Sequence, residues 1–283
     1  MINETVAEIE EMQTSSSSTV AIKATRALES LLDRDFATVE EFERDIDRNV
    51  SALRRANPSH ASLQNAMLEV KDAVTTRDYD DIEDAKRDAQ EVIDGVVEGI
   101  EKGKRRAAAN AVDLFEDGMA IMTHDYSTTV LEAIELAIAE GMYLDVYVTE
   151  GRPRYLGRRT ARTLAGYDPI DVTLITEGAC GQYLEKCDLA MTGITCIVDD
   201  VLYNRVGTFP IAATADTVGT PMTVVGSGTK IVEEGFVFEN DYRPASEVML
   251  EPAEGFAVGN PAYDATPLEL IDSVVTDEKN REL

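Results

Sequence analysis

Cysteine, histidine and lysine are all scarce in this 283-residue chain. Its three cysteines, Cys180, Cys187 and Cys196, form no CxxC pair, and only His60 and His124 stand beside them. That donor set speaks against a structural zinc site, so no metal is expected and the thiols read as reduced and buried. No run approaches the roughly 18 uninterrupted apolar residues of a membrane span. The N-terminus MINETVAEIEEMQT lacks the basic stretch and apolar core of a signal peptide, and a cytoplasmic location is expected. Neither GxGxxG nor GxxxxGK[ST] occurs, so no dinucleotide or other cofactor is expected.

Positive charge is also in short supply. Eight Lys and 18 Arg face 54 Asp and Glu, giving a formal charge of −28. Such a surface repels phosphates, which excludes naked nucleic acid as a partner. At low ionic strength the excess acids repel one another. At about 1 M salt the Debye length falls to about 3 Å and that repulsion is screened. A salt-rich, halophilic cytoplasm is the setting this composition implies. An apolar content of 44% with clear periodicity supports a packed core and argues against disorder. The length suits one large domain or two modest ones.

Residues 1–112 read as successive helices. Ser15 to Thr19 can cap a helix carrying Val20, Ala24, Ala27, Leu28, Leu31 and Leu32, and Thr38 with Glu41 has capping-box spacing ahead of Phe42, Ile46, Val50 and Leu53. Pro58-Ser59 separates this helix from the next, striped by Leu63, Met67, Val70 and Val74. From residue 113 the pattern changes. AIMTH, LDVYVTE, DVTLIT, DLAMTG and PMTVVG are short apolar runs ending in polar residues, with helical stretches between them. That alternation predicts a parallel sheet with helices on both faces. The expected fold is α/β, a helical domain over 1–112 followed by a parallel-sheet domain over 113–283. Ligands of such sheets bind beyond the carboxyl ends of the strands, here near His124, Asp125, Glu150, Glu177, Gly193 and Thr195. The Gly-rich GSGTK (226–230) adds a weaker candidate anion contact through its backbone N–H groups. Asp199 and Asp200 form a weak candidate metal pair.

The ordered segments THDYS (123–127), VYVTEGRP (146–153), TEGACGQYLEKCDLAMTG (176–193), NRVGT (204–208) and NPAYDATPLELI (260–271) resemble the initiation factor 2B alpha, beta and delta family. That family also contains the isomerases of methylthioribose 1-phosphate and ribose 1,5-bisphosphate. The resemblance implies a Rossmann-like second domain, a homodimer with a hexamer as a further possibility, and a protein partner in the regulatory branch. In the isomerases, it implies, a cysteine follows the Thr-His pair and an aspartate closes a Gly-Ala-Asp turn. Here Asp125 and Thr195 stand at those positions. Two arginine-bearing segments match Ser15–Ser18 and Asn57-Pro58-Ser59, without arginine. The quartet His124-Asp125-Tyr126-Ser127 is closer to the alpha-type pattern.

These departures lead to the expectation of a non-catalytic protein of the alpha-type branch that binds a sugar phosphate or nucleotide phosphate, with a ribose 1,5-bisphosphate isomerase as the alternative. No catalytic residue is assigned beyond the altered positions Asp125 and Thr195. The expected ligand-binding residues are His124, Tyr126, Glu150, Arg152, Gly193, Asn204, Arg205 and Lys230, with Arg205 placed at a helix N-terminus that could hold an anion.

Overall fold

The computed structural model describes residues 2–11, 16–232, 236–251, 254–278 and 280–282. Ser15, the first of the expected capping residues Ser15 to Thr19, lies outside them. The chain forms two compact units, Met1–Lys102 and Gly103–Leu283. The boundary expected at 112 coincides instead with the end of a long helix that supplies residues to both.

The first unit is built from α1 (Ile2–Glu11), α2 (Ser17–Ala27), α3 (Glu29–Leu32), α4 (Val39–Ala56), α5 (Ala61–Thr75) and the first part of α6 (Ile82–Val112). Its starts follow side-chain chemistry. The Ser16 hydroxyl accepts from the Thr19 amide, and the Thr38 hydroxyl accepts from the Glu41 amide at 3.2 Å. Glu41 reaches back one residue beyond Thr38, to the Ala37 amide. Phe42, Ile46, Val50 and Leu53 recur at helical spacing on α4 and are all fully buried. Each contributes roughly 1.5–3 kcal/mol of burial, which holds a helix that carries mostly charge elsewhere.

In the second unit a seven-stranded sheet runs in the order β11-β10-β7-β4-β1-β2-β3. Its strands are β1 (Met119–His124), β2 (Leu144–Thr149), β3 (Ile170–Ile175), β4 (Leu189–Gly193), β7 (Met222–Val225), β10 (Ser273–Val275) and β11 (Asn280–Glu282). All adjacent pairs are parallel except β10 with β11. The helices α7 (Thr128–Ala139), α8 (Gly157–Leu164), α9 (Cys180–Leu184) and α10 (Thr208–Val218) alternate with these strands. Val146, Val148, Ala190, Met191, Val224 and Val225 are buried, as central parallel strands covered on both faces require.

The chain lays β2 and β3 on one side of β1, then returns to place β4 on the other. The strand order therefore reverses beside β1, the kind of point at which open α/β sheets bind ligands. A second sheet, β8-β5-β6-β9, joins β5 (Cys196–Val198), β6 (Val201–Arg205), β8 (Ile231–Val232) and β9 (Tyr263–Pro267). It puts Arg205 at the end of β6, paired with Tyr263 of β9. Asp199 and Asp200 are the two-residue turn between β5 and β6, with Asp199 at φ 51°. Among the described residues no helix is long and apolar enough to cross a membrane.

Candidate active site

Asp125 follows β1 directly, and its backbone is left-handed at φ 57°. Aspartate tolerates that region better than most residues, but the conformation still needs support. Thr160 supplies it, its hydroxyl donating to the Asp125 carbonyl at 2.6 Å. Gly151, at φ 74°, closes against the same residue; a Cβ there would lie 2.6 Å from Asp125 Oδ1. The carboxyl is thus fixed in a small cavity.

Arg152, Arg154, Arg205 and Arg243 line that cavity, and Asp125 is the one acid among its lining residues. The segment carrying Arg152 and Arg154 follows β2, Arg205 ends β6, and Arg243 lies in the loop before β9. Arg205 Nε is 3.4 Å from Asp125 Oδ2, and its guanidinium lies over the Tyr263 ring. Asp125 Oδ1 is buried without a hydrogen-bond partner. Burial pushes the Asp125 carboxyl above its usual range, and the opposing charges of Arg205 and His124 do not reverse this. Arg154 is pushed the other way, first by burial and then by the neighbouring Arg243 and Arg205. Positive charge from Arg205 and Arg154 thus acts on a buried carboxyl whose charged form burial disfavours.

Of the expected ligand-binding residues, Arg152 and Arg205 line this cavity. The others are used inside the protein. His124 is buried; its Nε2 faces the Val206 carbonyl at 3.1 Å, an acceptor only, so Nε2 carries the proton and Nδ1 meets the Thr149 hydroxyl. The histidine therefore fixes the loop beside Asp125. Glu150 accepts from Arg158 at 2.8 Å, and the Tyr126 ring lies under Arg159. The Gly193 carbonyl accepts from Asn204 Nδ2 at 2.9 Å, while Thr195 donates its hydroxyl to Asn204 Oδ1. Lys230 is buried and donates to the Ile194 carbonyl at 2.7 Å.

The N-terminus of α10, expected to offer N–H groups to an anion beside Arg205, already holds one. Asp264 accepts from the Gly207 and Phe209 amides at 2.7 and 3.0 Å. Arg154 and Arg243 were not foreseen as site residues. The repeated arginine of Arg152-Pro153-Arg154 was a usable signal; Arg243 sits in an aperiodic stretch that gave none.

The model of the initiation factor 2 subunit family matches residues 13–278. The chain belongs to that family. A ribose 1,5-bisphosphate isomerase of Haloferax volcanii is 29% identical across 98% of this chain and 87% of its own length. One from Methanocaldococcus jannaschii is 30% identical across 98% of this chain and 90% of its own. Among solved structures, translation initiation factor eIF-2B of Pyrococcus horikoshii OT3 superposes with a TM-score of 0.85 at 22% identity, covering 99% of this chain and 96% of that one.

The family expectation therefore stands, whereas its refinement to the non-catalytic alpha-type branch is corrected. Relatives matched over nearly the full length are isomerases, and the lean toward a non-enzyme falls with the branch assignment. The physical source of that error is specific. The non-catalytic expectation rests on Asp125 and Thr195 at the altered positions and on two segments without arginine, and at the first of these the residue present is a buried carboxyl whose pKa burial raises.

Proposed function

We propose that this family member is an aldose–ketose isomerase acting on a phosphorylated ribose, ribose 1,5-bisphosphate or a close analogue. The observation that supports it most directly is Asp125, a buried carboxyl with a free oxygen in a cavity lined by four arginines, in a protein of net charge −28. Arginine's planar fork suits phosphate oxygens and keeps its charge when buried.

The chemistry needs one proton given and one taken. Opening the sugar ring requires a proton on the ring oxygen, and the protonated Asp125 gives it. As the hydrogen on C2 passes to C1, the C2 hydroxyl becomes a carbonyl and releases its proton, which the Asp125 carboxylate takes back. The cycle consumes no proton and needs no redox partner. A single carboxyl thus covers both transfers, while Thr195 keeps Asn204 in place.

The test is direct. Purified protein in 2–3 M KCl is given ribose 1,5-bisphosphate, and ketose formation is followed by 13C NMR. Sustained turnover is expected, with a loss of at least about 100-fold in Asp125→Asn. No turnover by the wild type, or an unimpaired variant, overturns the reading.

We also propose that the chain associates with itself, as a dimer or a hexamer. In support, Val237, Tyr242, Leu250 and Phe256, four large apolar side chains in one stretch of chain, are between 59% and 88% exposed and would be covered by a second copy.

A further inference from the structure

Two of the arginines that line the cavity around Asp125, Arg154 and Arg243, are held by one acid that is not itself a lining residue, Glu247.

Glu247 lies in the short turn Ala245–Glu247. Its Oε1 accepts from Arg243 Nη2 at 3.0 Å and Nε at 3.3 Å. Its other oxygen meets Arg154 Nε at 3.4 Å. One residue on, the Val248 carbonyl accepts from Arg152 Nη2 at 2.9 Å. Three of the four arginines that line the cavity are therefore tied to two consecutive residues of one surface segment. A carboxylate held between two guanidiniums has the charge and spacing of a phosphate edge.

The segment is anchored unevenly. Its leading end is fixed, with the Arg243 amide donating to the Asn260 carbonyl and the Asn260 side chain donating to the Pro244 carbonyl. Its trailing end buries little within one chain: Val248 is 36% exposed, and Leu250, one of the residues proposed above to meet a second copy, is 88% exposed. Swinging this end outward sacrifices polar contacts to the arginines and almost no core.

We propose that Glu247 is a built-in occupant of a phosphate subsite, holding Arg154 and Arg243 until a phosphate group takes its place and releases the segment that follows Pro244. This deepens the isomerase reading, since the phosphate is one that the substrate brings. Exchange keeps both cations paired: a phosphate of about −1.5 to −2 replaces a carboxylate of −1, and the displaced Glu247 gains water. It also keeps the guanidiniums from repelling one another while the site stands open. The role is one of specificity, because a ligand without phosphate has nothing to offer in exchange for Glu247.

Inorganic phosphate, titrated calorimetrically into the full chain in 2 M KCl, is the probe. Glu247→Gln keeps the shape but removes the competing charge, and is expected to bind phosphate about 10-fold more tightly than the wild type. Adding Arg243→Gln to that variant should abolish the gain. In the wild type, phosphate should also accelerate amide hydrogen exchange across residues 245–249. Equal or weaker binding by Glu247→Gln at an unchanged unfolding midpoint overturns the proposal, as does exchange that slows or stays the same. Turnover is measured separately. Tighter phosphate binding without isomerisation would reject the enzyme reading alone, and isomerisation with no gain in Glu247→Gln would reject the exchange alone.

Discussion

Asp125 Oδ2 lies 3.4 Å from Arg205 Nε, yet the carboxyl holds its proton more tightly than an ordinary aspartate does. A single long contact returns less than the desolvation of the charge takes away, since burying an ion costs several kcal/mol even after relaxation. The pair is therefore better described as an acid beside a cation than as a closed salt bridge. The direction of that shift favours the protonated carboxyl over the charged one, with burial as its first cause.

The sign of the pH effect follows. A raised folded pKa means that the contribution of Asp125 to stability is complete below its unfolded value near 3.8 and is lost as pH rises through the folded value. Asp125→Asn removes that loss. Urea denaturation should show the variant matching the wild type near pH 4 and exceeding it by pH 8, while its turnover collapses. A variant that is less stable than the wild type at pH 8 would show that the Arg205 contact outweighs burial.

Gly151 can be tested as the wall that aims this carboxyl. An alanine there is strained by the positive φ of 74°, and its Cβ would meet Asp125 Oδ1 at 2.6 Å. Gly151→Ala is expected to lose about 1–3 kcal/mol of stability, part from backbone strain and part from the clash. Pairing it with Asp125→Gly removes the clash and leaves the strain, so the double variant should recover part of the loss. Additive losses in a double-mutant cycle would mean that the two residues do not press on each other.

The parallel sheet was legible because central strands covered on both faces must be almost wholly apolar. LAMTG and MTVV, buried at every residue, stand out for that reason, whereas IDVTLI lies at the sheet edge as β3 and shows Asp171 and Leu174 to solvent. The second sheet was not legible. CIV, the two residues of β8 and the mixed VLYNR are too short and too irregular to declare a period, and their pairing is set by tertiary contact. That gap had a cost at the site. Arg205 was found through its motif, but it was assigned to a helix N-terminus that Asp264 fills from β9. His124 was read as facing the ligand because it ends a strand, whereas the carbonyl at Val206, brought in by the second sheet, turns it into a brace. Arg243 comes from a loop that carries no pattern at all.

Lys230 gives a second pH signature, away from Asp125. Burial first, then the charge of Lys104, lowers its ammonium from 10.5 to about 8. A depressed folded pKa places its stability contribution above the unfolded value, and that contribution is lost as pH falls through about 8. Wild-type stability should therefore gain on Lys230→Met between pH 8 and pH 10, by an amount on the order of 3 kcal/mol. Removing the Ile194 carbonyl's partner lowers the variant overall, so the slope and not the level is diagnostic. Parallel profiles across that range would refute the assignment.

Salt should govern both folding and assembly. Each chain carries −28, and bringing two together doubles the charge that must share one surface. Unscreened, that repulsion opposes any apolar gain from covering Val237, Tyr242, Leu250 and Phe256. At about 1 M salt and above, screening within about 3 Å leaves the apolar term in control. Thermal unfolding followed from about 0.1 to 3 M KCl should show a rising midpoint, since self-repulsion acts within the single chain as well. Light scattering over the same range should pass from 31.0 kDa toward about 62 kDa, or toward about 186 kDa if three dimers join. Because screening acts on both quantities, the two curves should rise over the same salt interval. Replacing Leu250 and Phe256 with Ser should leave the unfolding curve in place and shift only the association curve, as those side chains are already solvated in the single chain. A sharp 31.0 kDa species at 3 M KCl and micromolar protein would overturn self-association, and a midpoint indifferent to salt would overturn the electrostatic account of the composition.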